Sequence, residues 1–237
     1  DNWNICLSHA TGDYVICMGD DDILTSKCLE IYINLIKKYP KLDLYHIRTE
    51  IIDENSKHVS FLEERPEWES VYSLIYTHRS AFIGDWLFKT DSLKKNGGFY
   101  KLPYGWISDY VSAFIAAADK GVANSNEVGF QYRGNSLSIS YDLSCIDDKI
   151  SAIRSFTEWR KNFVAGKHPD NVEDQRLIEL IKKDSMRLAN QGIEDMIEFD
   201  IRKQLWRRGY YWFFHRKKQG VSFLQYLRCV MKAIKYH

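Results

Sequence analysis

Apolar and polar positions divide the chain into two parts with different patterns. Residues 1–140 alternate between short apolar runs and longer amphipathic stretches, which is typical of a domain in which helices cover a β-sheet. Residues 141–237 contain helical patterns without further strand signals. We therefore predict an α/β domain over residues 1–140, followed by a helical region over residues 141–237.

Apolar stretches predict four strands in the first part. Residues 13–18 form a largely continuous apolar run, which predicts a strand covered on both faces of its sheet. The other predicted strands span residues 42–52, 82–88 and 122–133. Polar residues at 53–56 predict a turn after the second of these strands.

Helices are predicted by apolar spacing and by end signals. Residues 26–39 carry too many apolar positions for one exposed stripe, so we expect this helix to lie against the sheet and to end before Pro40. Ser108 is placed to cap a helix that runs to Lys120. Further helical segments are predicted over residues 3–10, 70–76, 91–96, 145–165, 174–215 and 223–236.

Composition narrows the class of protein. The five cysteines are scattered, odd in number and without a CxxC pair, which favours a reducing compartment over a disulfide framework and argues against thiolate zinc. No run of about 18 apolar residues is present, so the sequence predicts no membrane-spanning helix.

The C-terminal tail concentrates positive charge. Residues 201–237 contain ten Lys or Arg and no Asp or Glu, so the tail carries +10 while residues 1–200 carry −9. Residues 223–236 place apolar side chains and cations on different faces of a helix, and residues 205–214 mix aromatic side chains with cations. This pattern is typical of a segment at the interface of an anionic membrane.

Two alternatives remain for the tail. Its aromatic stripe is also suited to packing against the acidic remainder of the chain. Binding to RNA is the weakest alternative, because no RNA-binding motif accompanies the basic and aromatic residues.

Three consecutive aspartates, Asp20, Asp21 and Asp22, directly follow the first predicted strand. Adjacent carboxylates repel one another unless a cation binds them, and their hard oxygens suit Mg²⁺ or Mn²⁺ that holds a substrate's phosphates. An EF-hand loop counted from Asp20 is excluded because its sixth position is Thr25 and its twelfth is Ile31. The alternative is a solvated acidic loop without metal.

The order and spacing of several short motifs resemble family 2 glycosyltransferases with the GT-A fold. The family pattern is an Asn, a run to Ala-x-Gly-x-Tyr, an apolar strand and an Asp-rich triplet. Over residues 1–140 this chain has Asn4, Ala10, Gly12-Asp13-Tyr14-Val15, the aspartate triplet, Phe82-Ile83-Gly84, Gly97-Gly98-Phe99, Trp106-Ile107-Ser108-Asp109 and Arg133, in the family's order. The Gly-Asp-Asp-Asp ending further resembles the branch of abequosyltransferases and related deoxysugar transferases.

The resemblance implies a GT-A fold, with a mixed sheet flanked by helices and a helical C-terminal appendage. It implies metal-dependent transfer of a sugar, with inversion, from a nucleotide-sugar to a hydroxyl acceptor. Because residues 1–4 fall in the middle of the family's pattern, we expect the chain to lack the first βαβ units, which form much of the nucleotide-binding portion.

The same resemblance assigns roles to the acidic residues. Asp22 is expected to bind Mg²⁺ or Mn²⁺ directly with Asp20 as its companion, and Asp20 and Asp21 are expected to contact the nucleotide-sugar. Asp109 is expected to be the general base that takes the acceptor's proton. The family often has two acids here, whereas the first position in this chain is Ser108. The alternative role for Asp109 is to stabilise a helix N-terminus.

Three further residues are predicted to contact the nucleotide-sugar, each with a structural alternative. Gly98 would let the backbone approach the ligand, or simply form a turn. Trp106 would cover an apolar sugar face, or lie in the core. Arg133 would reach the diphosphate as a planar donor, or lie at the surface at the end of a strand.

The sequence therefore predicts a glycosyltransferase of cell-surface polysaccharide or lipopolysaccharide assembly. Its expected partners are a nucleotide-sugar donor, a saccharide or lipid-linked saccharide acceptor, and an anionic membrane surface bound by residues 201–237. Its expected place is the cytoplasm, at the inner face of the cytoplasmic membrane. The alternatives are a non-catalytic interaction domain of the same fold and a metal-dependent phosphohydrolase.

Overall fold

A computed structural model describes residues 2–118, 120–135, 138–139 and 142–235. The chain forms two units. The first unit contains residues 1–101, 107–139 and 167–180, and the second contains residues 102–106, 140–166 and 181–237.

The first unit is built on a mixed β-sheet. Its strands, as far as the described residues show, are β1 (Tyr14–Val15), β2 (Ile23–Leu24), β3 (Leu44–Ile52), β4 (His58–Phe61), β5 (Trp68–Glu69), β6 (Trp86–Lys89) and β7 (Val122–Arg133). The main order is β1-β6-β3-β7-β2, with β4 beside β3 and β5 beside β7. The β3 and β7 strands run parallel, and the other pairs are antiparallel.

Helices flank this sheet. Those that lie wholly in the first unit are α1 (Asn2–His9), α2 (Cys28–Lys38), α3 (Val71–Thr77), α4 (Thr90–Lys95) and α5 (Ser108–Ala117). The predicted position of α2 against the sheet is confirmed, because Ile31 and Tyr32 are buried in one core cluster with Ile47 of β3 and Phe130 of β7. Burial of each such side chain stabilises the fold by about 1.5–3 kcal/mol.

The first predicted strand is much shorter than expected. Only Tyr14 and Val15 form β1, and both are half-buried rather than covered on both faces. The reason is position: β1 lies at the edge of the sheet and pairs with β6 alone. The prediction of a fully covered strand over residues 13–18 was therefore wrong.

The strand predicted over residues 82–88 is also shortened. Residues Ile83–Asp85 form one turn of 3₁₀ helix, and β6 begins only at Trp86. The turn packs closely against β7, since a Cβ on Gly84 would lie 2.4 Å from the ring of Phe130. The turn directs the side chain of Asp85 into the core, where it is fully buried.

The helices of the C-terminal region are α6 (Ile146–Val164), α7 (Val172–Lys203), α8 (Leu205–His215) and α9 (Phe223–Lys235). The α7 helix begins in the first unit, and its residues from 181 onward belong to the second. A break at Gln204, with φ −147°, divides the predicted segment 174–215 into α7 and α8. None of the described helices combines the length and apolarity needed to cross a bilayer.

Buried hydrogen bonds hold α8 and α9 in place within the second unit. The indole Nε1 of Trp212 donates to Asp200 of α7 over 2.6 Å. The Tyr226 hydroxyl of α9 donates to the carbonyl of Gly209 in α8 over 3.1 Å. Since both contacts join different helices, they fix how this part of the second unit packs.

In the first unit, Asn4 holds the Gly97-Gly98-Phe99 loop in place. Its side-chain amide donates to the carbonyl of Phe99 and accepts from the Phe99 N–H, both over 2.8 Å. Gly98 has a φ of +82°, and a Cβ on it would lie 2.2 Å from the Asn4 side-chain oxygen. The missing Cβ is therefore explained by the approach of Asn4 and by the left-handed backbone.

Gly98→Ala should destabilise the protein more than Gly97→Ala. Both glycines have positive φ, but a Cβ at Gly97 would meet nothing within 4 Å. The Gly98 variant adds the loss of the two Asn4 hydrogen bonds, worth about 1 kcal/mol each. Urea unfolding should show an extra loss of about 2 kcal/mol. Equal losses in the two variants would contradict this account of Asn4.

Candidate active site

The aspartate triplet lies in the loop between β1 and β2, beside the end of β7. The antiparallel β2–β7 pairing places Ile23 opposite Gln131. Arg133 therefore comes next to the loop, and its backbone N–H donates to Asp22 Oδ1 over 3.0 Å. Its side-chain Nε donates to the carbonyl of Asp21 over 2.9 Å. Hydrogen bonds thus join the aspartate triplet to Arg133, which is far away in sequence, at one end of the sheet.

In both Asp21 and Asp22, one carboxylate oxygen accepts a hydrogen bond and the other lies close to Gly19. Asn135 donates to Asp21 Oδ2 over 2.8 Å, as the Arg133 N–H does to Asp22 Oδ1. A Cβ built on Gly19 would lie 2.9 Å from Asp21 Oδ1 and 3.1 Å from Asp22 Oδ2. The two remaining oxygens therefore converge on the space left open by Gly19.

Burial raises the pKa of Asp22, and the nearby charge of Asp21 raises it further. Hydrogen bonds from the Arg133 N–H and the Gly19 N–H oppose this change in pKa. The charged form of Asp22 is thus disfavoured by its surroundings, and a bound cation would reverse this effect. Asp20, by contrast, is exposed.

The converging oxygens fit a hard divalent cation that also binds a substrate. Within the described ranges, no group of three or more His, Cys, Asp or Glu side chains is placed to hold a metal. Mg²⁺ is commonly held by only one or two carboxylates, with phosphates and water completing its ligands. Asp21 and Asp22 match that pattern. Asp20, the predicted companion of Asp22, is exposed in the same loop, and its part in metal binding stays a prediction.

The guanidinium of Arg133 braces the turn after β3. Its Nη1 donates to the carbonyls of Asp53 and Glu54 over 3.1 and 3.3 Å, and to Ser56 Oγ over 2.9 Å. Together with the Nε contact to Asp21, these bonds hold the acidic loop against this turn. The structural role of Arg133 is therefore clear, and its contact with a diphosphate stays a prediction.

Asp109 lies in the first turn of α5, where the Tyr110 N–H donates to its Oδ1 over 2.9 Å. The preceding residue Ile107 is left-handed, with φ 66°, which turns the chain sharply into the helix. Burial raises the pKa of Asp109 to about 7, against the opposing effect of the Tyr110 N–H. The Tyr110 and Asp109 N–H groups both bond this carboxylate, as they would an acid that stabilises a helix N-terminus, so that role and the role of general base both stay predictions. A general base works best with a pKa near the working pH.

Asp85 contributes to the electrostatics of Asp109. Its charge raises the pKa of Asp109, in addition to the effect of burial. Asp85 Oδ2 accepts from the Thr49 hydroxyl over 2.7 Å and from the Phe82 N–H over 2.9 Å. Sequence analysis did not identify Asp85, although a carboxylate inside the apolar stretch 82–88 was a usable signal.

A buried histidine faces the other oxygen of Asp85. His46 Nε2 lies 3.7 Å from Asp85 Oδ1, which is too long for a hydrogen bond. Burial lowers the pKa of His46 to about 4, and the charge of Arg65 lowers it further. His46 is therefore neutral at physiological pH and does not neutralise Asp85. His46 itself is buried in the core.

Trp106 and Gly98 have structural neighbours of their own. Trp106 belongs to the second unit, where the Lys149 ammonium lies 4.6 Å from its ring centroid. A cation at this distance interacts with the face of the ring. Gly98 is approached by Asn4, as described above. The predicted ligand contacts of Trp106 and Gly98 stay predictions.

Comparisons with known proteins agree with this architecture. Residues 1–95 match the family model described as Glycosyl transferase family 2. That segment runs from α1 to the end of α4 and includes the aspartate triplet. No curated protein matches the chain significantly.

Crystal structures of TarS from S. aureus resemble the chain over most of its length. TarS 1–349 in complex with UDP-GlcNAc has a TM-score of 0.57 and 11% identity, covering 98% of this chain and 70% of TarS 1–349. The complex with UDP has a TM-score of 0.53 and 11% identity, covering 98% and 69%. A longer TarS structure has a TM-score of 0.52 and 13% identity, covering 87% and 37%.

The fold is of the GT-A type. The curled mixed sheet with flanking helices and the helical C-terminal region confirm the predicted fold class. Within this GT-A unit, the converging oxygens of Asp21 and Asp22 and the raised pKa of Asp109 are the features suited to chemistry.

Asp85→Asn should lower the pKa of Asp109, because it removes a buried negative charge that favours the protonated acid. Carbon-13 NMR titration of protein labelled at aspartate carboxyl carbons would measure this pKa directly. Asp43→Asn is the matched control, since Asp43 is also a buried acid of the first unit but is bound by Lys120 and Ser92. An Asp109 titration that is unchanged in Asp85→Asn would show that burial alone sets its pKa.

Proposed function

We propose that this chain belongs to a glycosyltransferase that moves a sugar from a nucleotide-sugar donor to a hydroxyl acceptor. The observation that carries the proposal is the convergence of the Asp21 and Asp22 oxygens beside Gly19 in a GT-A unit. The match of residues 1–95 to the family 2 model supports it. The binding of UDP-GlcNAc and UDP by the TarS structures supports a nucleotide-sugar as the donor.

Asp21 and Asp22 would hold Mg²⁺ or Mn²⁺, with Asp20 as an exposed further carboxylate at the same loop. When bound, the ion supplies positive charge that neutralises the diphosphate as it leaves. The protein's own contribution is to keep two hard oxygens in place through the bonds from Asn135 and the Arg133 N–H. Bonds to metal-binding carboxylates of this kind orient the ligand oxygens.

Asp109 would act as the general base of an inverting transfer. Its carboxylate takes the proton of the acceptor hydroxyl while the acceptor oxygen bonds to the sugar carbon from the face opposite the nucleotide. The bond from that carbon to the diphosphate oxygen breaks, and the electron pair leaves with the nucleotide. A pKa of about 7 lets Asp109 hold this proton near neutral pH.

A saccharide or lipid-linked saccharide of cell-surface polysaccharide or lipopolysaccharide assembly is the acceptor that we propose. The basic, aromatic tail supports this choice, because it suits work at the inner face of a cytoplasmic membrane. The Gly-Asp-Asp-Asp ending supports a relation to abequosyltransferases, which stays part of the proposal.

Asp109→Asn should lower the rate of transfer by about 10²–10⁴-fold, because it removes the general base. Asp22→Asn should lower the rate by a comparable factor, because it removes a ligand of the metal ion. Release of nucleoside diphosphate from a panel of nucleotide-sugars, including UDP-GlcNAc, would measure the rates. Asp91→Asn, at an exposed acid of α4, is the control and should leave them unchanged. In the unmodified protein, the rate should rise with pH and level off above about pH 7, because the base works only when deprotonated.

Full activity in both Asp109→Asn and Asp22→Asn would contradict the assigned roles. A protein that binds no nucleotide with Mn²⁺ and transfers no sugar would instead fit a non-catalytic interaction domain. Phosphate release from a generic ester would favour a phosphohydrolase.

Gly19→Ala should weaken Mn²⁺ binding in the presence of UDP by about 10–100-fold, as is common when the surroundings of metal ligands are disturbed. The new Cβ would lie 2.9 and 3.1 Å from the converging oxygens and would displace them. Gly12→Ala is the matched control, since its Cβ would meet only a backbone oxygen at 3.4 Å. Isothermal titration with Mn²⁺ and UDP would compare them. An unchanged affinity for Mn²⁺ in Gly19→Ala would show that Asp21 and Asp22 are not the ligands of the ion.

A further inference from the structure

A large apolar surface is exposed on α8 and α9, although the protein's other apolar side chains are mostly buried. We call it the aromatic face. It consists of Trp206, Tyr210, Phe213, Phe214, Phe223, Leu224, Leu227, Met231 and Ile234, whose side chains are between 36% and 88% exposed. Contiguous exposed apolar patches of this kind mark sites of interaction with proteins or membranes.

The aromatic face is continuous across the two helices. On α8 its members recur at helical spacing, and the rings of Tyr210 and Phe214 lie 4.9 Å apart. Phe213 contacts Phe214 at 5.0 Å and Phe223 of α9 at 6.3 Å, which joins the two helices. The Arg216 guanidinium lies 4.9 Å from the ring centroid of Phe213. One cation is therefore built into the centre of the face.

The aromatic face is not an unfilled part of the core. The α9 helix buries a different set of side chains, Tyr226, Cys229 and Ala233, on its opposite side. Cys229 contacts the carbonyl of Glu194 over 3.4 Å, and Arg228 bonds the Glu194 carboxylate over 2.8 Å. The tail pairs with acids of the second unit through its cations and through the Trp212 indole, while the side chains of the aromatic face stay exposed.

Positive charge surrounds the aromatic face. Several cations of the tail are neutralised by acids of the second unit, namely Arg208 by Asp200, Arg228 by Glu194, Lys232 by Asp195 and Lys218 by Asp147. Arg207 and Lys217 are exposed and form no ion pair with any described residue. The first adjoins Trp206, and the second lies after the end of α8.

We propose that the aromatic face binds the surface of an anionic lipid bilayer. Trp, Tyr and Phe side chains are suited to the depth of the lipid headgroups, and neighbouring cations are attracted to anionic lipid. A second copy of the same face is disfavoured, because the exposed cations Arg207 and Lys217 beside it, which pair with no described acid, would meet a surface of the same charge. In the proposed arrangement α8 and α9 lie flat on the membrane with the aromatic face towards the lipid.

Under the proposed function, this face would bring the enzyme to a lipid-linked acceptor. The lipid contact itself requires neither nucleotide nor sugar. Binding to vesicles and transfer to a soluble acceptor are therefore measured separately. Asp109→Asn should bind vesicles like the unmodified protein, so failure of one proposal is distinguishable from failure of the other.

Vesicle sedimentation tests the proposal. The unmodified chain should bind phosphatidylcholine vesicles that contain about 30% phosphatidylglycerol, and should bind pure phosphatidylcholine much more weakly. The combined variant Trp206→Ser, Leu224→Ser and Met231→Ser should bind the anionic vesicles at least about tenfold more weakly, since it removes apolar area from the interface. Arg207→Gln with Lys217→Gln should weaken binding at low salt and have less effect at high salt.

Matched controls come from exposed residues elsewhere in the chain. The combination Leu29→Ser, Val172→Ser and Met186→Ser removes three exposed apolar side chains outside the aromatic face. Lys37→Gln with Lys57→Gln removes two exposed cations. Both controls should bind vesicles normally, and circular dichroism should show that all variants are folded.

Two results would overturn the proposal. One is vesicle binding that survives unchanged in the variant lacking Trp206, Leu224 and Met231. The other is self-association without lipid, seen in analytical ultracentrifugation and abolished in that same variant, which would assign the aromatic face to a second copy of the chain.

Discussion

The antiparallel pairing of β2 with β7 is the constraint on which the candidate site depends. It places the end of a long, central strand beside a loop of three carboxylates, and the Arg133 backbone and side chain then bind that loop. Without this pairing, like charges in a short loop would separate into solvent. With it, Asp21 and Asp22 each have one oxygen fixed, so the remaining oxygens converge on Gly19. The sheet thus keeps the carboxylates of Asp21 and Asp22 close together, which the loop alone would not do.

The first unit also holds Asp109 in surroundings that disfavour its ionised form. Its burial and the nearby charge of Asp85 both disfavour ionisation, while the backbone N–H groups of Tyr110 and Asp109 favour it. Asp85 itself is kept in the core by hydrogen bonds from Thr49 and Phe82 and faces a neutral His46. Packing energy from the surrounding core offsets the cost of these buried polar groups. A carboxyl group with a pKa near neutrality is the chemical result.

Much of this architecture could be predicted from local sequence signals. The strands at residues 42–52 and 122–133 and the helix before Pro40 follow from apolar patterns, and the structure has them close to the expected places. The covering of the first strand could not be predicted in the same way, because an apolar run does not show whether a strand lies at the edge of its sheet. The geometry of the acidic loop has the same limit: a run of three aspartates does not reveal that one oxygen of Asp21 and one of Asp22 both lie close to Gly19.

Asp85 and the aromatic face show two ways in which the burial of side chains differs from what the sequence pattern predicts. An acid inside an apolar stretch is expected to point to solvent, yet Asp85 lies at the end of a 3₁₀ turn and is fully buried in the core. Apolar residues at helical spacing are expected to form a core, yet on α9 the smaller stripe of Tyr226, Cys229 and Ala233 is the buried one. Fully exposing the larger stripe costs free energy in water, at about 25 cal/mol per Å² of apolar area. Under the proposed membrane contact, lipid would recover this cost, and the cations Arg207 and Lys217 beside the face would favour anionic lipid.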